Sequence, residues 1–466
     1  MNLKITFSAI PFILCLTISI FIQILFGSTN SYINFLIFIS YLITLFFIDK
    51  RFILKYSYII FYISTNILGV FFIETSLFYL NELRIYSKDY NSLLLIILVH
   101  IIFIEAIRHT DKKRIFESLS ETKKSLVEIT KNYSINKLKI VEFLLFVITL
   151  ITIYLFIQVI DKPFFIVGMD RFLYEQNFMS SFGVKFSNSL LYCTPLFAIY
   201  IYHTKNKCGL FALFLLSLYY FWIGHKFSFF LVMAYIVFLP FIVNGSKKLL
   251  NKILKLGFLL FITLMLVVSI QSYTVYNRDF EDNTQYLKMR IAQQGQLWWA
   301  TYGLKNSINP KLSELSDETR NFFKLKINRE DLYNSGIYKI MKLTTPIEVF
   351  NQKVFQKNSR YAYSTQASIY YYFGFLGLIL FSVISGIIYA LVINGLMKSI
   401  LNIQLISAVL LARLLTIINR TIMQSDFQDI FSIEVVVIVI VLVIVHIIRR
   451  VIRSTTNPNK IIGGVA

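Results

Sequence analysis

The chain is 466 residues long, 56% hydrophobic and 17% aromatic, with a mean hydropathy of +0.66, well above the roughly 45–50% apolar content of a soluble globular domain. That composition excludes a soluble enzyme or binding module and points to an all-α polytopic membrane protein. A formal net charge of +21 would suggest nucleic acid in a soluble chain, but here the basic residues sit between apolar runs, where they set orientation in a bilayer and no nucleic-acid partner is implied.

Reading apolar runs of about 17–25 residues as helical spans gives about twelve, near 5–27, 31–48, 57–80, 92–108, 140–160, 186–203, 209–223, 227–243, 256–273, 365–393, 403–418 and 431–448. The first run reads as an anchor instead of a cleaved signal, because it opens with the single Lys4 and shows no small-residue cleavage site before the next run. The seventh and eighth are short and meet at Gly224-His225-Lys226. Cys15 and Cys193 fall inside spans and Cys208 in a polar turn, so no disulfide framework is suggested. His100, His109, His203, His225 and His446 are scattered without metal-ligand spacing, and neither a metal nor a cofactor is expected.

Alternate turns differ sharply in charge. One set holds Lys4, Lys50, Arg51, Lys55, the cluster from Arg108 to Lys139, Lys205, Lys207, Lys247, Lys248, Lys252, Lys255, Lys398, Arg449, Arg450, Arg453 and Lys460. The short turns of the other set hold Arg84, Lys88, Lys162, Arg171, Lys185, Lys226 and Arg420. Basic residues are retained on the cytoplasmic side, so both termini are expected inside.

Hydrophilic regions interrupt the spans. Residues 109–138 form a basic cytoplasmic loop of helical character, read either as a solvated helix that orients the protein or as a contact for protein or anionic lipid. A smaller outward loop, 161–185, mixes aromatics with Asp170, Arg171 and Glu175. The large outward loop, 274–362, carries apolar residues at helical spacing behind N-cap signals at Ser316 and Asp317. At this size and without disulfides, it is expected to pack as short helices on the spans.

No phosphate-binding P-loop, GxGxxG, zinc motif or nucleophile elbow is present, so an ATP-driven pump or a metallohydrolase has no support. Ionisable residues inside spans are costly, about 2.5–3.5 kcal/mol at the bilayer centre, and are functional candidates for that reason. Arg413 and Arg420, seven apart in ISAVLLARLLTIINR, project from one helix face, one at membrane depth and one near the outer surface. Such a ladder suits a diphosphate whose lipid tail stays in the bilayer; the other reading pairs Arg413 with an intramembrane carboxylate such as Glu74 or Glu105 while Arg420 snorkels. His100, Glu105 and Arg108 read either as a proton relay or as an i,i+3 ion pair of the last two. His225 and Lys226, at a sharp outward turn, are a candidate base and anion contact, or simply residues that end two helices.

The segment RIAQQGQLWW, Arg290 to Trp299, places Arg290, Gln293, Gln294, Gln296, Trp298 and Trp299 within about three helical turns. Glutamine amides donate and accept, as vicinal sugar hydroxyls require; indole faces cover the apolar side of a pyranose; and the guanidinium meets phosphate. The alternative is an interfacial aromatic belt. Further outward arginines, Arg171, Arg278 and Arg360, could complete a cationic vestibule for a dianionic leaving group.

With about twelve spans, both ends inside, one large and one smaller outward loop each carrying arginines, and the RIAQQGQLWW stretch, the sequence resembles the O-antigen polymerases, the Wzy-type family of bacterial envelope enzymes. Some members of that family carry paired arginine-to-glycine motifs with ten intervening residues in the outward loops; here Gly183 lies one residue beyond that spacing from Arg171 and Gly303 two beyond it from Arg290. The resemblance implies a GT-C-like membrane enzyme of the inner membrane that builds O-antigen polysaccharide for lipopolysaccharide, without metal. It would transfer a growing oligosaccharide from undecaprenyl diphosphate to a new lipid-linked repeat at the periplasmic face, with a chain-length regulator protein as a further partner. Arg290, Arg413 and Arg420 would hold the diphosphate, and Asp170, Glu175, Glu281, Asp282 and His225 are outward candidates for a base. An O-antigen ligase would share donor and fold but carry a histidine in its large outward loop, and 274–362 has none. A lipid-linked oligosaccharide flippase is the remaining alternative.

Overall fold

The computed structural model describes residues 30–76, 79–122, 130–167, 171–225, 227–245, 280–305, 336–356, 365–424 and 432–456, with isolated positions between and before them, Tyr361 included. Almost all of it is helix. The spans expected at 5–27 and 256–273 lie largely outside the described residues.

The first half of the chain runs α1 (Ser31–Ile48), α2 (Lys50–Lys55), α3 (Ser57–Thr75), α4 (Leu93–Thr122) and α5 (Thr130–Val159). Short polar residues start these helices by satisfying orphan N–H groups: Asn30 accepts from Tyr32 N ahead of α1, and Asp49 from Phe52 N ahead of α2. The apolar run 57–80 is longer than its helix, because Tyr79–Leu80 (β1) turns back to pair antiparallel with Ile85–Tyr86 (β2) and stacks Tyr79 against Tyr86. The next elements are α6 (Phe164–Val167), α7 (Arg171–Phe178), α8 (Ser181–Leu190) and α9 (Thr194–Thr204). The span expected at 186–203 is therefore divided, by a 3-10 turn at Leu191–Cys193, and Pro195 occupies the first turn of α9 where no amide donor is needed.

The short pair α10 (Lys207–Trp222) and α11 (Phe227–Asn244) follows, then α12 (Phe280–Ala292), α13 (Gln296–Lys305), α14 (Gly336–Thr344) and α15 (Ile347–Asn351) of the large loop. The chain closes with α16 (Thr365–Leu401), α17 (Leu405–Gln424) and α18 (Ile433–Thr456). Among the described residues six helices are long and apolar enough to cross a membrane. They include α1, α3, α16 and α17, and α18 adds an unbroken apolar run from Val435 to Val445. The protein is thus an all-α membrane protein, with α16 at its centre packed along α4 and α17.

Helix ends alternate between two faces. At one, Arg51 donates to the Gly245 carbonyl at 3.1 Å, Lys55 meets Asp111 and Asn394 at 2.5 Å each, and Arg449 reaches Gln404. At the other, the loop 79–92 packs against α12 to α15. A second apolar cluster there joins Ile73, Leu80 and Leu83 to Leu297, Trp299, Met341, Phe350 and Tyr371. The described part of the large loop therefore packs on the ends of α3 and α16 and supplies most of the buried residues of this second cluster. The face rich in lysine and arginine in the sequence is the first of these two.

Candidate functional site

On α17, Arg413 and Arg420 lie two turns apart, and what meets Arg413 defines the site. Its Nε donates to Glu434 Oε1 at 2.5 Å and its Nη2 to Glu434 Oε2 at 2.7 Å, a two-pronged pair, while Nη1 donates to the Tyr192 hydroxyl. The guanidinium carbon also lies 4.5 Å from the centre of the Tyr192 ring. Glu434 is thus paired with Arg413, and Arg420 stands two turns further along the same helix.

Three elements build this arrangement. The 3-10 turn that divides α8 from α9 presents Tyr192, the middle of α17 presents Arg413, and the first turn of α18 presents Glu434. Arg413 lies eleven residues before the end of α17, about 16 Å along the axis at 1.5 Å per residue. The side chain of Arg413 is 22% exposed and that of Glu434 47%, so the pair is open along one side and the carboxylate is its more exposed member.

The reading that pairs Arg413 with a carboxylate of the apolar helices agrees with this contact, but the partner is Glu434 and neither of the two named examples, Glu74 and Glu105. Glu74 is occupied at the start of α4, accepting from Ser92 N at 2.6 Å, Leu93 N at 3.3 Å and the Ser31 hydroxyl at 3.0 Å. Glu105 accepts from the Tyr41 hydroxyl at 2.8 Å and forms the i,i+3 pair with Arg108 at 3.2 Å. His100 takes no part in a relay with them; its Nε2 meets Asn66 Oδ1 at 3.1 Å.

Beside Arg420, the Thr365 hydroxyl donates to the Thr421 carbonyl at 2.5 Å and ties the start of α16 to the end of α17. In the same two helix ends, Gln366 Oε1 and Asn419 Oδ1 are buried and make no hydrogen bond among the described residues. Further along, α16 is interrupted at Gly374, whose φ of 66° and ψ of −158° fall in a region open essentially to glycine alone. The break frees backbone carbonyls, and Lys305 answers it by donating to Tyr370 O at 2.7 Å and Tyr371 O at 3.2 Å. Burial holds the Lys305 ammonium below the usual lysine pKa.

A family model for a family of unknown function (DUF6418) matches residues 330–439. That stretch runs from the second half of the large loop to the start of α18. It includes Arg413, Arg420 and Glu434 but leaves Tyr192 and the RIAQQGQLWW segment outside. No curated protein and no solved structure matches the chain.

The RIAQQGQLWW segment makes a different kind of site from the one its composition suggests. Gln293 Nε2 donates to Glu82 Oε1 at 3.1 Å, and Gln296 and Lys353 also bind the Glu82 carboxylate. Gln294 donates back to Arg290 O at 3.0 Å. Both indoles are wholly buried instead of open to a sugar ring: Trp298 Nε1 donates to Ser92 O at 3.2 Å and Trp299 Nε1 to Lys88 O at 2.7 Å. The physical reason is the loop 79–92, which supplies the carbonyls and the carboxylate these groups need. Arg290 alone of the segment stays exposed, touching Gln293 at 3.3 Å.

His225 is buried with its ring centre 4.7 Å from Tyr220 and 4.3 Å from Phe229, a packed position at the turn between α10 and α11. Arg171 begins α7, but its side chain is outside the described residues, as are Arg278, Arg360, Lys226 and Asp170. Among the described residues no group of three His, Cys, Asp or Glu side chains is placed to hold a metal. Sequence reasoning passed over Glu434 and Tyr192. Glu434 had a signal, as the one acidic residue at the head of an apolar run, under the same rule that marked Arg413; Tyr192 had none.

Proposed function

We propose that the protein is a membrane glycosyltransferase that polymerises undecaprenyl diphosphate-linked oligosaccharide repeats into O-antigen, with its donor's diphosphate held by Arg413 and Arg420. The observation that carries this reading is the two-pronged Arg413–Glu434 pair, partly open to its surroundings, with Arg420 two turns along the same apolar helix. An ion pair there is expensive to desolvate and is a poor device for stability alone. An anionic headgroup on a bilayer-held tail can reach it laterally.

In the reaction, an acceptor hydroxyl attacks the anomeric carbon, the bond from that carbon to the phosphate oxygen breaks, the electron pair leaves on the diphosphate, and the hydroxyl proton passes to a base or to the departing diphosphate. Charge grows on the leaving oxygen as this happens, and fixed guanidiniums nearby lower the barrier. The outward face is assigned from charge: the lysine-rich helix ends go to the cytoplasm, which leaves the 79–92 loop and α12 to α15 in the periplasm.

The test is a lipopolysaccharide gel of a strain lacking the gene. A single repeat unit on the lipid core supports the polymerase. Complete loss of O-antigen overturns it and favours a ligase or a flippase; the helix break at Gly374 and the buried Lys55–Asp111 pair are features a transporter would also use.

A further inference from the structure

We propose that Glu434 is an internal stand-in for the substrate's phosphate: its carboxylate occupies the Nε and Nη2 donors of Arg413 that a phosphate takes over when the lipid-linked donor binds. This inference rests on the lipid-diphosphate reading of the same site. Loading is then the exchange of one anion for another on a fixed arginine.

Four observations converge on it. The contact is the two-pronged fork, 2.5 and 2.7 Å, that guanidinium offers to carboxylate and phosphate alike. The carboxylate is the more exposed partner, 47% against 22%, so it can leave while the arginine stays.

The helix that carries it is held by a narrow seam. Val435, Ile438 and Leu442 of α18 pack on Leu410, Leu414 and Ile417 of α17, while Val436, Val437, Ile440 and Ile444 are each about half exposed. Tyr192, by contrast, comes from the turn between α8 and α9 and binds the remaining Nη1. It keeps the guanidinium plane oriented whichever anion is present.

Charge sets the direction of exchange: Glu434 brings one negative charge to Arg413 and a diphosphate at least two, so the guanidinium attracts the headgroup more strongly than the carboxylate.

The experiment uses the purified full chain in detergent, with geranylgeranyl diphosphate as the probe and thermal unfolding to establish that each variant is folded. Glu434→Gln should bind the probe about tenfold more tightly than the unaltered chain, the scale of one charge-assisted bond no longer in competition. Arg413→Ala should lose binding. In the unaltered chain, labelling of Glu434 by dicyclohexylcarbodiimide, read by mass spectrometry, should rise when the probe is added; this arm decides if Glu434→Gln does not fold. Equal affinities, or labelling that does not rise, overturn the exchange while the diphosphate site stands. Absence of probe binding to both chains overturns the site and the exchange together.

Discussion

Gly69 on α3 and Gly295 in the turn between α12 and α13 meet backbone against backbone. A β-carbon on Gly295 would lie 2.3 Å from Val70 N, and one on Gly69 would lie 2.6 Å from Gly295 N and from Ile291 O. Asn66, one turn below, reaches across the same contact to donate to Gln294 O at 2.6 Å. This is where the large loop is fastened to the membrane helices. Gly295→Ala should therefore force the two backbones apart and destabilise the protein by about 1–3 kcal/mol, the cost of overpacking. Gly257→Ala, with open space around it, is the control. A lowered unfolding temperature for the first and an unchanged one for the second is the expected result.

The two tryptophans separate packing from chemistry. Each is fully buried and donates to a carbonyl of the 79–92 loop, so Trp298→Ala should cost about 3–5 kcal/mol and reduce the amount of protein in the membrane. Trp299→Phe keeps most of the packing and drops one hydrogen bond, a loss of about 1 kcal/mol. Arg290→Ala, at an exposed position, should leave the unfolding temperature unchanged. If Trp298→Ala removed polymer while leaving protein level and unfolding temperature intact, the packing role assigned to this indole would be wrong.

What the sequence made legible, and what it hid, follows from the range of the interactions. Apolar runs exposed the spans because each helix must satisfy its own backbone in lipid, and α1, α3, α16 and α17 match runs found that way. Arg413 was visible because one charge in an apolar run stands out. Its partner was not, because Glu434 lies on a different helix and only folding brings it near. The reading of RIAQQGQLWW failed to anticipate Glu82 for the same reason: a carboxylate more than two hundred residues earlier in the chain decides which way Gln293 and Gln296 point. The divided helix at Leu191–Cys193 left no mark in hydropathy, though Pro195 just beyond it was a cue.

At the basic face, Lys55 is buried with Asp111 at 2.5 Å, and Asn394 from α16, Tyr56 from the chain beside α2 and Tyr235 from α11 close around them. Burial lowers the Lys55 pKa, and Asp111 opposes that shift. Lys55→Met leaves Asp111 without its cation in an apolar setting, and removing one partner of a buried pair costs about 3–5 kcal/mol. The double variant Lys55→Met/Asp111→Asn should recover much of that loss. Thermal unfolding of the two single variants and the double variant measures the coupling, and additive losses would show that Lys55 and Asp111 do not act as a pair.

Lys305 and Gly374 make the last relationship, a cation that answers a helix break. Gly374 adopts a conformation that a side chain would strain, and Lys305 holds the carbonyls of Tyr370 and Tyr371 that precede it. Removing the lysine leaves those acceptors without their charged donor, at about 1–3 kcal/mol, so Lys305→Met should lower the unfolding temperature. Gly374→Ala should do so by a different route, since it penalises the break itself and favours a straight α16. The two effects share one cause, the kink at Gly374. Lys305→Met/Gly374→Ala should therefore be less damaging to stability than the sum of the single changes, because a straightened helix has no freed carbonyls for the lysine to hold. Activity should not recover with stability, since straightening α16 moves its first turns away from the end of α17. Additive destabilisation in the double variant would mean that Lys305 acts independently of the break.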